Sequence, residues 1–366
     1  MKKELRALLT LSIMGALLLG LSVWAWCKPS QDSSLMERRK LVAFPKLTLS
    51  SIERGDFMTA FETYALDQFP LRDGFRKVKA WTARYLFGQR DSHGVYLCEG
   101  SAAKLDYPLN EKSIGYAASR FTWVYETYLQ GTGSKVYLSL IPDKNYFLAE
   151  KNGYPALDYE GLTEQLQAQT DFAQYIDLFP LLTAEDYYDT DAHWRQEALK
   201  PIAQILLAAM GTKGEEAYTE HTLETPFYGV YRGQSALPME GDRLTYLTGE
   251  TLAHATVYDY ETEGYIPVYD LEKGAGRDPY ELFLGGSKSL LVLENPQADT
   301  EKELLLFRDS FGSSLAPLLL PGYRRITLID IRYLSPAALD RYVEFHGQDV
   351  LFLYSTSVLN NSDTIK

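Results

Sequence analysis

A serine hydroxyl is a weak nucleophile near neutral pH. It needs a base within hydrogen-bond reach, and the base needs a third group to hold it in one tautomer. The sequence offers candidates at two places. Leu304–Phe307 is an apolar run that ends at Arg308 and Asp309, and Ser310 follows where the chain must turn before Ser313, Ser314, Leu315, Ala316 and Leu318 begin a helical pattern. A strand that turns into a helix puts its last side chains at the carboxyl edge of a sheet, where open α/β sheets bind ligands. Amides at the start of the helix could then face a developing oxyanion. Ser310 could equally be the cap of that helix. Of the five histidines, only His193 lies in a dense acidic run, Glu185-Asp186-Tyr187-Tyr188-Asp189-Thr190-Asp191-Ala192-His193-Trp194. Asp191, two residues before the imidazole, could bend back onto one ring nitrogen and leave the other for Ser310. Asp191 could instead cap the helix starting near Trp194, or Asp189, Asp191 and His193 could ligate a divalent ion.

The elements that would carry these groups read as α/β. Apolar runs at 290–293, 304–307, 325–329 and 349–354 are expected strands, with helical patterns at 315–320 and 336–345 between them. Strands and helices alternating over short links imply a parallel sheet with right-handed crossovers. Residues 135–141 predict another strand, ended by Pro142, so Asp143-Lys144-Asn145-Tyr146 falls at a strand's carboxyl end, as a site segment or as a polar loop. Helices are expected at about 113–131 and 159–175, a short strand at 176–179, and a helix–turn–helix over 57–87 broken at Pro70. Residues 211–286 alternate aromatic and polar side chains among turn formers and read as a β-rich insertion.

Bulk properties exclude some functions. A net charge of -13 argues against a nucleic-acid binder, which needs a basic face. Two cysteines, Cys27 and Cys98, give neither a disulfide framework nor a paired-cysteine zinc site. The 27 tyrosines are a weak pointer toward half-exposed, carbohydrate-facing surfaces. Ala7–Trp26 carries no charge and has the length of a membrane-spanning helix, behind a flank containing Lys2, Lys3 and Arg6. An uncleaved anchor with the rest of the chain outside the cell is the favoured reading; a cleaved signal peptide is the alternative. Lys28–Ser51, polar and turn-rich, reads as a stem.

Asp191-Ala192-His193-Trp194 followed far downstream by Asp309-Ser310-Phe311-Gly312 resembles the DHHW family of bacterial envelope proteins and the related alginate O-acetyltransferase-like group of SGNH hydrolases. Asp67-Gln68-Phe69-Pro70-Leu71-Arg72-Asp73, Pro142-Asp143-Lys144, Gly229-Val230-Tyr231-Arg232-Gly233-Gln234-Ser235-Ala236 and Asp330-Ile331-Arg332-Tyr333 extend the likeness over nearly everything past the N-terminal segment. The resemblance implies an SGNH-like α/β fold in permuted order, with the acid and histidine ahead of the serine. Together with the N-terminal reading it divides the chain into an anchor (1–27), a stem and helical region (28–105) and an SGNH-like domain (106–366). It implies Ser310 as nucleophile, His193 as base and Asp191 as its orienter, with no cofactor and no metal. Among further site residues, the Ser310 amide is the first candidate oxyanion donor, and Lys144, Gly312, Arg332 and Ser355 are candidates for oxyanion or substrate contacts. Ala192 stands where the family has a second histidine, Arg308 where SGNH proteins carry a glycine, and no segment matches their glycine and asparagine blocks.

The activity implied is O-acetyl transfer to an exported glycan, with a membrane-bound acyltransferase supplying the acyl group. An esterase using the same residues, and a non-catalytic glycan-binding scaffold, are the alternatives.

Overall fold

The computed structural model describes residues 2–34 and 36–366; the side chains of Lys2 and Lys3, part of the basic flank, lie outside the described set. The chain divides into two compact units, one holding Met1–Ser92 and Arg232–Pro238, the other His93–Tyr231 and Met239–Lys366.

In the first unit, helix α1 (Lys2–Cys27) is 26 residues long, and from Glu4 to Cys27 its mean hydropathy reaches 2.0 with nothing buried. At 1.5 Å per residue it is long enough, and apolar enough, to cross a membrane. The segment expected as a stem folds back on itself: Ser33–Ser34 pairs antiparallel with Arg39–Lys40. Helices α2 (Asp56–Asp67) and α3 (Arg72–Trp81) flank the break at Pro70. Asp67 there accepts a fork from Arg39 at 2.5 and 2.9 Å, and this partner draws its carboxyl down to about 2.

The second unit is built on an eight-stranded sheet. In chain order the strands are β1 (Val136–Ile141), β2 (Gln174–Tyr175), β3 (Thr256–Asp259), β4 (Gly264–Ile266), β5 (Leu290–Glu294), β6 (Glu303–Arg308), β7 (Arg325–Ile329) and β8 (Asp349–Ser355). Their spatial order is β4-β3-β5-β7-β6-β8-β1-β2. From β7 to β2 the pairings are all parallel. Strands β5, β3 and β4 add an antiparallel flank. The apolar run at 290–293 is therefore a strand as expected, but antiparallel to its neighbour.

The central strands are covered on both faces, which is why they read as unbroken apolar runs rather than alternating ones. Leu304 and Leu306 point into the core shared with helices α7 (Lys200–Ala209) and α8 (Gly312–Leu319). Leu305 and Phe307 point into the opposite core, against α4 (Glu111–Val124) and α6 (Tyr159–Gln169). Helix α4 starts at a cap on Asn110, whose side chain accepts from the Ser113 amide at 3.2 Å, and the short helix α5 (Lys144–Leu148) follows β1.

Several boundaries shift for local reasons. The expected strand at 176–179 forms earlier, as β2, because Asp177 caps the Phe179 amide at 3.0 Å and Pro180 opens a 3₁₀ turn. The helix expected over 336–345 is a 3₁₀ segment, Pro336–Arg341. Residues 211–286 carry strands, as their alternation suggests. Two of these are β3 and β4 on the main sheet, and Thr219–Thr222 pairs with Thr245–Thr248 as a separate ribbon.

Candidate active site

Strand β6 ends at Arg308, and Asp309, Ser310 and Phe311 make the turn into α8. The helix cap position falls on Phe311, and no side chain caps it. Ser310 is therefore not the cap, and its hydroxyl is left for other chemistry. Buried Asp309 fixes the turn instead. Its carboxylate accepts from the Phe311 amide at 3.0 Å and from the Ser355 amide, at the end of β8, at 2.8 Å. This ties the serine turn to the neighbouring strand.

His193 lies 117 residues earlier in the chain, yet its Nε2 is 2.8 Å from Ser310 Oγ. Its Nδ1 is 2.6 Å from Asp191 Oδ1. The same carboxylate oxygen also accepts the His193 amide at 3.2 Å. The three side chains thus form one hydrogen-bonded row, Asp191–His193–Ser310. Asp191 is fully buried, while His193 and Ser310 are partly exposed. Asp191 does not cap the turn after Trp194, which begins at Gln196 with Arg195 at its cap position and no side chain capping it. Among the described residues, no group of three or more His, Cys, Asp or Glu side chains is placed to hold a metal.

The acid–imidazole segment has little regular structure. Tyr187 and Trp194 form an isolated antiparallel bridge, and residues 189–191 are the tip of the loop between them. Side chains hold that tip. Asp242 accepts from the amides of Asp189 (2.6 Å) and Thr190 (2.8 Å) and from Thr190 Oγ1 (2.5 Å). Gly229 donates its amide to Thr190 Oγ1 at 2.6 Å, and Val230 donates to Asp191 Oδ2 at 2.7 Å. A Cβ on Gly229 would lie 2.2 Å from the Thr190 carbonyl oxygen and 2.4 Å from Asp191 Cβ, so only glycine lets the two segments approach.

Tyr280 closes the imidazole's flank. Its ring stacks on His193 with centroids 3.9 Å apart and planes 12° from parallel. Its hydroxyl bonds to Ser314 Oγ at 2.8 Å, and Trp194 Nε1 donates to the same oxygen at 2.9 Å. Burial pushes the Tyr280 hydroxyl's pKa well up, so the group stays neutral.

The remaining candidates have other partners. Lys144 is buried, and its Nζ donates to Ser101 Oγ (3.1 Å), the Tyr188 carbonyl (2.7 Å) and the Asp189 carbonyl (3.2 Å). Its three N–H groups are thereby spent on the loop that carries Asp191. Desolvation lowers its pKa to about 8, against the pull of Asp191, Asp242 and Asp189. Arg332 forks onto Asp330 at 2.9 and 2.7 Å. The Ser355 amide is taken by Asp309, and the Gly312 amide donates to the Asp309 carbonyl at 3.1 Å. The Ser310 amide has no acceptor among the described residues, which leaves it available to an incoming oxygen. Arg308, where a glycine was the family expectation, is fully buried. It lies 3.6 Å from Asp330 and donates to the Lys288 carbonyl at 3.2 Å. Gly312 makes room for it, since a Cβ there would come within 2.7 Å of Arg308 Cβ.

The sequence reading missed Asp242, which gives no local signal at all. It also missed Tyr280, and the clamping role of the Gly229-Val230 pair, which it quoted only as a motif.

Compared by sequence, the chain matches no protein-family model and no curated protein. Compared by structure, it is similar to a DHHW family protein from Eubacterium siraeum, with TM-score 0.59 and 21% identity over 75% of this chain and 95% of that one. By fold, the chain is DHHW-like. The chain is also similar to Bacillus cereus PatB1, solved with a sulfonyl adduct: TM-score 0.59 and 18% identity over 74% of this chain and 96% of that one. A weaker likeness, TM-score 0.45 at 14% identity, is to the O-acetyltransferase domain of Pseudomonas putida AlgJ, over 73% of this chain and 92% of that one.

Proposed function

We propose that the protein is a serine-dependent O-acyltransferase of the cell envelope, moving an acetyl group onto a glycan hydroxyl. The observation that carries the reading is the row Asp191–His193–Ser310, with contacts of 2.6 and 2.8 Å between groups far apart in sequence. Asp191 holds Nδ1–H, so Nε2 is free to take the hydroxyl proton as Ser310 Oγ attacks the acyl carbonyl. The Ser310 amide offers a hydrogen bond to the oxyanion that forms. Collapse expels the donor's leaving group, which takes the proton back from His193, and leaves an acetyl ester on Ser310. A glycan hydroxyl then gives its proton to His193 and attacks that ester, and Ser310 is released with its own proton restored.

The acetyl group and the glycan acceptor come from the sequence resemblance. So does the expectation of a membrane-bound partner that supplies the acyl group. Helix α1 supports a single-pass anchor with the remainder of the chain outside the membrane. The test uses the full chain in detergent. With 4-nitrophenyl acetate and a glycan acceptor, Ser310 should gain an acetyl group detectable by mass spectrometry, and acetylated glycan should accumulate. Ser310→Ala should lose both. Absence of any acyl-enzyme and of turnover in the unaltered chain defeats the reading.

A carbohydrate esterase is the second reading, favoured by the partial exposure of His193 and Ser310, which admits water to the acyl ester. Free acetate as the sole product, with glycan present in excess, selects it.

A further inference from the structure

The sheet of the second unit carries a groove that the proposed chemistry does not use. It lies on the face that Leu305 and Phe307 share, toward the antiparallel flank. Under α4 and α6 this face is apolar; over β3, β4 and β5 it changes character. Cross-strand register lines up Tyr265, Tyr258, Val292, Thr327 and Leu305 in one row across five strands. The next row, toward the amino ends of the parallel strands, is Glu294, Arg325 and Glu303. Strands lie about 4.8 Å apart, so the first row runs for roughly 19 Å. Tyr342 and the segment Glu344–Gln348 complete the lining, and the groove encloses about 410 Å³, within the range of ligand sites.

Two features set this groove apart from an ordinary charged sheet surface. Tyr258, Tyr260, Tyr265 and Tyr342 touch edge to face in a chain, with centroid separations of 5.1 to 5.7 Å. None of their four hydroxyls has a hydrogen-bond partner among the described residues. The second is a row of charges at one edge, paired along its length: Arg325 bonds Glu294 through Nε at 3.0 Å and Nη2 at 2.6 Å, and Glu303 lies 3.6 Å from Arg325 and 3.7 Å from His346. Flat rings with unspent hydroxyls, beside a row of carboxylate and guanidinium groups, match the chemistry of a sugar, whose ring faces present C–H groups and whose rim presents hydroxyls. Glu294, Glu303 and Glu344 outnumber Arg325, so the field in the groove disfavours a polyanion.

We infer that this groove, formed by tyrosines on β3, β4 and the 342–348 segment beside the Glu294–Arg325–Glu303 row, binds an uncharged oligosaccharide. It is a second saccharide site. Ser310 follows the carboxyl end of β6, whereas Glu303 and Arg325 open their strands at the other end of the sheet. The groove holds a glycan strand without acting on it. The inference does not depend on Ser310 chemistry.

The full chain, in a detergent without a sugar headgroup, is titrated calorimetrically with neutral tetrasaccharides of glucose, N-acetylglucosamine, galactose and mannose, and with tetragalacturonate. At least one neutral member should bind, and tetragalacturonate should bind more weakly. Tyr265 and Tyr342 are 73% and 45% exposed, so replacing them does not threaten folding. Tyr265→Ala with Tyr342→Ala should weaken binding by about tenfold or more, the scale of losing one or two ring contacts. Ser310→Ala should leave it unchanged. The inference is overturned if no neutral member binds, if the double variant binds as well as the unaltered chain, if Ser310→Ala abolishes binding, or if tetragalacturonate binds as tightly.

Discussion

Ser310 and His193 meet at 2.8 Å, but the chain brings them there by different means. The serine is placed by regular structure. A buried strand, a short turn and a helix leave it few alternatives, and Asp309 locks the turn to β8. The histidine lies on a loop whose shape is set by side chains from elsewhere: Asp242, Lys144, and the amides of Gly229 and Val230. One half of the site is held by backbone ladders, which tolerate substitution of surface residues. The other is held by a handful of directed bonds, each of which can be removed singly. Changes around the loop should therefore reduce rate before they reduce overall stability, and changes around the turn should do the reverse.

Asp191→Asn should have the largest effect. The amide can occupy the carboxylate's place but favours the wrong imidazole tautomer, for which a fall in acylation rate of about 10⁴ is the expected scale. Stopped-flow acylation by an activated ester measures it. A variant that acylates at the original rate would show that the loop's acid is a structural group. Gly229→Ala comes next. Its methyl cannot fit beside Thr190, so the loop tip must shift, and a displacement near 1 Å costs about 10² in rate. The same assay reads it. Thermal melting should move little, because few buried apolar contacts are lost.

Lys144→Met leaves the Tyr188 carbonyl without a donor, at a cost of about 1–3 kcal/mol at pH 7, while the Asp189 carbonyl keeps the Ala102 amide at 2.8 Å. The variant also removes a titration. The Lys144 ammonium titrates near 8 when folded, against 10.5 for an ordinary lysine. Between these values the unfolded chain holds more protons than the folded one, so stability rises with pH across that window. Denaturant midpoints measured from pH 7 to pH 10 should climb in the unaltered chain and climb less in Lys144→Met. Equal slopes would mean that Lys144 is solvated, and that the loop is held without it.

This contrast also explains what the sequence could tell. Ser310 was legible because an apolar run, a turn and a helical pattern are local signals, and the covered central strands announce themselves as unbroken hydrophobic stretches. His193 and Asp191 were legible as a doublet, but their use as cap, base or metal ligand depended on what lay opposite. Asp242 and Tyr280 are far from both in sequence, and nothing in their own neighbourhoods marks them. The roles of Lys144, Arg332, Ser355 and Gly312 were equally invisible. A lysine at a strand's carboxyl end looks the same whether its ammonium faces solvent or three buried oxygens. The antiparallel direction of β5 was hidden too, since its pairing with β3 is decided by residues of the long intervening stretch.

The smallest effect tests a bond that joins the two halves through Tyr280. Ser314 belongs to α8, on the serine's side, and Tyr280 stacks on the histidine. Their hydroxyls lie 2.8 Å apart. Ser314→Ala leaves Trp194 Nε1 with the Phe311 carbonyl at 3.1 Å, but leaves the buried Tyr280 hydroxyl with no partner. Tyr280→Phe keeps the ring and removes the hydroxyl. Each variant should lose about 1 kcal/mol, and the double variant should lose less than the sum, with a coupling of about 1 kcal/mol. Acylation should slow by a similar modest factor in Ser314→Ala, because the ring on His193 has lost its tether, and less in Tyr280→Phe, where no polar group is stranded. A coupling of zero in the stability cycle would mean that the stack on His193 holds without this bond, and that the two halves of the site are joined by the Ser310–His193 contact and by the bonds of Trp194 and Gln196 to the serine's side.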